Sequence, residues 1–86
     1  MGSNVETLYR LMDDGAEALE FNVKDDPRLV RIPLKDLQLK SQMLIAGIQR
    51  GRDTIIPTGN DVILPGDHVI VIAAAQRLQD LADVLK

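Results

Sequence analysis

Cysteine and tryptophan are absent from this chain of 86 residues, and Tyr9 and Phe21 are its only aromatics. Without cysteine there can be no disulfide, thiolate metal ligand or thiol nucleophile, a usage compatible with a cytosolic setting. Two aromatic side chains provide neither a platform for base stacking nor an aromatic-lined groove. Basic charge is also scarce: Lys and Arg number 10 against 13 Asp and Glu, a net charge of −3. Phosphate backbones call for a basic excess or a concentrated basic face, so nucleic acid is not an expected partner. The longest apolar run, "VIVIAAA" from Val69 to Ala75, is too short to span a bilayer, and the chain is expected to be soluble.

Recognisable catalytic patterns are missing as well. No GxGxxG and no Walker loop occurs, so any nucleotide would need another geometry. The single histidine, His68, is the only residue around which a nucleophile and base could be arranged. It opens an apolar strand after a Pro-Gly turn, a position more often structural than catalytic. One His without carboxylates at ligand spacing makes no zinc site. The acidic pairs Asp13-Asp14 and Asp25-Asp26 fall in expected turns and lack the spacing of a calcium loop. No enzyme and no metal centre is expected.

What is present is globular composition, 45% hydrophobic and 27% charged, enough for one small domain with a net stability of about 5–10 kcal/mol. Residues 1–4 are read as linker and 5–86 as the domain, within an expected longer protein. "VETLYRL" and "AEALEFNV" alternate about "MDDG", where Asp14-Gly15 signals a hairpin. This reading puts Val5, Thr7, Tyr9 and Leu11 on one face and turns Leu19, Phe21 and Val23 inward. A helix over "NVETLYRLMDD", with Val5, Leu8, Leu11 and Met12 on one stripe, is the rival.

After the polar loop "KDDPRLV", Pro33 begins a short helix in "PLKDLQL" with Leu34 and Leu37 on one side. "MLIAGIQR", Met43 to Arg50, reads as a central strand, "TIIP" as a short one ended by Pro57, and "LPGD" as a type II turn feeding "HVIVIAA". "QRLQDLADVLK" spaces Leu78, Leu81, Ala82 and Leu85 as an amphipathic terminal helix. The expected fold is α+β, a two-layer, mostly antiparallel sheet with a short helix and a C-terminal helix.

"LIAGI" and "VIVI" are apolar on both faces. Burying one aliphatic side chain is worth about 1.5–3 kcal/mol, so both faces should be covered. Either a second copy of the chain covers the second face, or Ala46, Gly47 and Ala73 to Ala75 lie beneath the helices. Arg28, Arg31, Lys35 and Lys40 gather around the short helix. Arg50 and Arg52 flank Gly51 and are candidate anion contacts, with charged protection of a sheet edge as the alternative.

"LIAGIQRGRDTIIPTGNDVILPGDHVIVIA", with "VETLYRLMDDGAEALEFNV" and "IPLKDLQLK" upstream, resembles the TrkA C-terminal (RCK-C) domain family over nearly the whole chain. The order and spacing of the Arg-Gly turn, the Ile-Pro strand and the Pro-Gly-Asp turn carry the likeness. The resemblance implies a regulatory domain of a cytosolic potassium-uptake subunit. It would form a homodimer, follow a Rossmann-type domain of the same full-length chain, and act on a potassium-translocating membrane subunit. No cofactor is implied for this stretch, because the family's nucleotide site lies in the Rossmann part. Some members bind a small effector in the dimer cleft, and the matching segment "LQLKSQMLIAG" supplies the candidate cleft residues Gln38, Lys40, Met43, Leu44 and Ile45. Lys40 stands nearest the Arg and Leu44 in place of the Asn that members binding cyclic diadenylate use.

Overall fold

A computed structural model describes residues 5–11, 15–74 and 80–86. Its strands are β1 (Val5–Arg10), β2 (Ala16–Asn22), β3 (Met43–Arg50), β4 (Asp53–Ile55) and β5 (His68–Ala74). They form one sheet in the order β1-β2-β5-β3-β4, with every neighbouring pair antiparallel. The β1–β2 hairpin is present as the alternation implied, and the helical rival for β1 is excluded. Gly15 follows at φ +94, where a side chain would be strained. Asp13-Asp14 lies outside the described residues.

Two β-bulges break the period-2 reading. In β1 the register shifts between Val5 and Thr7, so Val5 turns toward the core while Thr7 and Tyr9 turn away. In β3 the shift between Ile45 and Gly47 puts both Ile45 and Ile48 on the core face, where they are buried. That shift gives "LIAGI" its two-faced appearance, because the parity of the strand changes in its middle.

The expected helices are the main correction. Among the described residues the only helical pieces are single 3-10 turns, Leu34–Asp36 and Leu81–Val84. Pro33 caps the first, and Leu34 and Leu37 both pack inward as their spacing implied. The second is bounded on both sides. Asp80 and Asp83 close a reciprocal capping box at its start. At its end Leu85 returns to extended backbone and bridges Leu39, while the Lys40 amide donates to the Val84 carbonyl at 2.7 Å. One turn suffices to bury Leu81 and Val84, since residues three apart eclipse in this geometry. Gln76 to Gln79, the start of the expected terminal helix, lie outside the described residues.

The core lies on one side of the sheet. Leu19, Phe21, Val23, Ile45, Ile48, Val69, Val71 and Ala73 meet a second layer made from loops and the terminal turn, including Leu29, Val30, Ile63, Leu81 and Val84. The loop segments pair with each other: Val30 bridges Ile63 in parallel, and the Arg31 and Leu34 amides donate to the Ile63 and Asp61 carbonyls. Val62, Ile63 and Leu64 thus form a loop with one bridge.

Candidate functional site

The other side of the sheet has no described layer over it. Following the register across four strands, Tyr9, Ala18, Ile72 and Leu44 form one row, and Thr7, Glu20, Ile70 and Gly47 the next. Tyr9 is 57% exposed and Leu44 58%. Ala16 and Ala74 extend this apolar strip at one end. At the other, Asn22, His68, Gln49 and Thr54 form a polar row. His68 Nδ1 stands 3.8 Å from a Glu6 carboxylate oxygen, and the Thr54 hydroxyl donates to Gln49 Oε1 at 2.8 Å.

The candidate cleft residues are not gathered in one place within a single copy. Leu44 is on the open face, Ile45 is buried on the core face and Met43 packs against the same core. Gln38 and Lys40 lie beside the chain end, where the Gln38 carbonyl accepts from the Lys86 amide.

Arg50 is already engaged. Its Nε and Nη2 donate to the two carboxylate oxygens of Asp67 at 3.0 and 2.9 Å, and Nη2 also donates to the Val62 carbonyl. These bonds hold the guanidinium above its ordinary arginine value, the Asp67 hydrogen bond being the main cause. Asp67 is itself buried, at 2% exposure, and accepts from the Leu64 amide. It closes the expected type II turn, with Gly66 at φ +89 and the Asp67 amide donating to the Leu64 carbonyl. Sequence reading offered Arg50 as a candidate anion contact or as charged protection of a sheet edge, and missed this internal partner. A signal was available: a Pro-Gly-Asp turn directly before a buried strand leaves its Asp needing a cation. Arg52 is exposed.

A shallow acidic depression includes Asp25, Asp26, Arg28, Asp80 and Asp83. Its carboxylates have internal partners. Asp25 pairs with Arg31 at 3.0 Å and Asp26 with Arg28 at 2.8 Å, while Asp80 and Asp83 cap the terminal turn. The Arg28 hydrogen bonds hold the Asp26 carboxyl below its ordinary aspartate value. Among the described residues no group of His, Cys, Asp or Glu is placed to hold a metal ion, and no helix is long and apolar enough to cross a membrane.

The TrkA-C domain profile matches residues 18–86. The chain belongs to the TrkA-C domain family. It is 29% identical over its full length to the Trk system potassium uptake protein TrkA homolog 1 of Methanosarcina mazei, covering 19% of that relative. To TrkA homolog 2 of the same organism it is 34% identical over 79% of this chain and 15% of the relative. A TrkA homolog of Pyrococcus abyssi shares 32% identity over 85% of this chain and 33% of its own length. The chain therefore spans a third or less of these relatives, all of which are named as potassium uptake proteins.

Proposed function

We propose that this TrkA-C domain is a non-catalytic regulatory module of a potassium uptake protein, and that it works as a homodimer closed over its open sheet face. The observation that carries the reading is the row Tyr9–Ala18–Ile72–Leu44, an apolar strip left to solvent on a folded subunit. A second copy would bury it through the same residues on both sides, as a two-fold contact requires. Full-length context supplies the other expected partners: a Rossmann-type domain of the same chain and a potassium-translocating membrane subunit. A peripheral position on the cytoplasmic side follows from them.

In the dimer, a small effector at the seam would meet Leu44, with Met43 and Ile45 supporting that strand from the core side, and would reach Gln38 and Lys40 only where the second copy brings them to it. Such an effector shifts the transporter only through a difference in affinity between two arrangements of the subunits. One observation favours a ligand-free assembly module instead: Arg50, the best-placed anion fork, is occupied by Asp67. Sedimentation velocity combined with a thermal-shift screen separates the readings. A dimer stabilised by a cyclic dinucleotide, nucleotide or divalent cation supports regulation by an effector. A dimer indifferent to all of them supports assembly alone, and a monomer at every concentration removes the homodimer.

A further inference from the structure

Permanent charge on the open face is of one sign. The ionisable side chains of the paired strands on that face are Glu6 at the β1 bulge, Glu20 in the row Thr7–Glu20–Ile70, and His68 in the polar row. The arginines of the paired strands have the opposite parity. Arg10 is registered with Glu17 and Arg50 with Asp53, and Arg50 is held by Asp67. Among the described residues no Lys or Arg of the sheet shares the open face.

His68 meets a polar group from each strand around it. On β2, Asn22 is its registered partner and Glu20 stands one row away. On β3 its partner is Gln49, whose amide donates to the Gly51 carbonyl and whose Oε1 accepts from Thr54 on β4. From β1 comes Glu6, with a carboxylate oxygen 3.8 Å from Nδ1. β1 and β5 are not neighbours in the sheet, so this approach spans β2, and the extra residue at the bulge makes it. Beyond the strand ends, Lys24 and Arg52 are exposed. His68 and Glu6 are each half-exposed, and within one subunit water screens their interaction.

We propose that closure of the open face is proton-linked through His68, an inference that rests on the face-to-face homodimer proposed above. A two-fold contact joins identical surfaces, so whatever the position of the axis, each copy meets a face bearing the same carboxylates. With neutral imidazoles the closed contact holds carboxylate charge alone, and loss of water strengthens the repulsion. One proton from solvent on each His68 leaves both ring nitrogens as donors, Nδ1 toward Glu6, and supplies the cation that the face lacks. The imidazolium has more carboxylate around it in the dimer than in the monomer, so association takes up protons. The dimer is therefore favoured at acid pH and weakens as pH rises through the range in which imidazoles lose their charge. His68 is the only histidine of the chain, so no other imidazole can carry this linkage.

Sedimentation velocity at low ionic strength tests it. The dimer dissociation constant is expected to be about tenfold smaller at about pH 6 than at about pH 8. His68→Gln, polar but unable to take up the proton, should flatten that difference. Glu6→Gln combined with Glu20→Gln should tighten the dimer at the higher pH, and a double variant no tighter than the native chain counts against the repulsion. Circular dichroism is expected to be the same at both pH values, placing the change in association and not in folding. A dimer of equal affinity at both pH values overturns the proton linkage and leaves the homodimer standing, whereas a monomer under all conditions overturns both. A full pH difference retained in His68→Gln overturns the assignment to His68.

Discussion

Arg50 at the end of β3 and Asp67 at the head of β5, 17 positions apart, form a two-bond ion pair, with Asp67 buried and Arg50 reaching the Val62 carbonyl as well. The pair ties the β3–β4 turn to the loop that enters β5. The Arg-Gly and Pro-Gly-Asp signatures are therefore two halves of one structural element.

Removing either half should be costly. Asp67→Ala leaves the Leu64 amide and the guanidinium without their acceptor, and Arg50→Met leaves a buried carboxylate without its cation. Each should lower stability by about 2–4 kcal/mol, measured as a fall in urea midpoint at unchanged slope. The double variant should lose far less than the sum of the two. Additive losses would show that the two side chains do not act together.

Opposite faces of β3 give opposite outcomes for adjacent residues. Ile45→Asp puts a charge into the core and should yield unfolded or insoluble protein, and Val71→Asp, its partner across β5, the same. Leu44→Asp should keep the native circular dichroism spectrum and reduce only association over the open face. A soluble, folded Ile45→Asp would mean that the β3 bulge is misplaced.

Backbone conformation supplies a stabilising change. Gln42 has φ +62 in the turn before β3, exposed and with a side chain, a region that disfavours residues other than glycine. Gln42→Gly should raise stability by about 0.5 kcal/mol, the relief of strain exceeding the added freedom of the unfolded chain. Gly66→Ala, at φ +89, should lower it by about 1 kcal/mol. Thermal midpoints moving in opposite directions are the expected result.

The Asp26–Arg28 pair adds a pH dependence of known sign. Because the folded carboxyl lies below its ordinary value, its contribution is complete above the unfolded aspartate pKa and is lost as pH falls through the folded one. Arg28 is largely exposed, so the effect is small and screened by salt. Arg28→Ala should reduce the difference in melting temperature between neutral and acid pH, most clearly at low ionic strength. An unchanged difference would remove Asp26 from the acid limb.

Local chemistry made much of this fold legible. Alternation placed Leu19, Phe21 and Val23 inward, Pro65-Gly66 announced the type II turn, and the span of β3 followed from "MLIAGIQR". The terminal helix was misjudged because the stripe of Leu78, Leu81, Ala82 and Leu85 left out Val84, which a single 3-10 turn buries together with Leu81. Local spacing does not register that the capping box and the Leu39–Leu85 bridge bound that turn. The candidate cleft residues were read as one stretch, yet pleating sends Leu44 and Ile45 to opposite faces.

Composition and pattern by themselves determined a small antiparallel sheet with more apolar surface than one face can use, because alternation and turn residues act within a few positions. Tertiary structure decided which face stays open, how the bulges reverse parity, and which cation meets Asp67. Those outcomes depend on β5 lying between β2 and β3, a pairing of segments distant in the chain that no local propensity encodes.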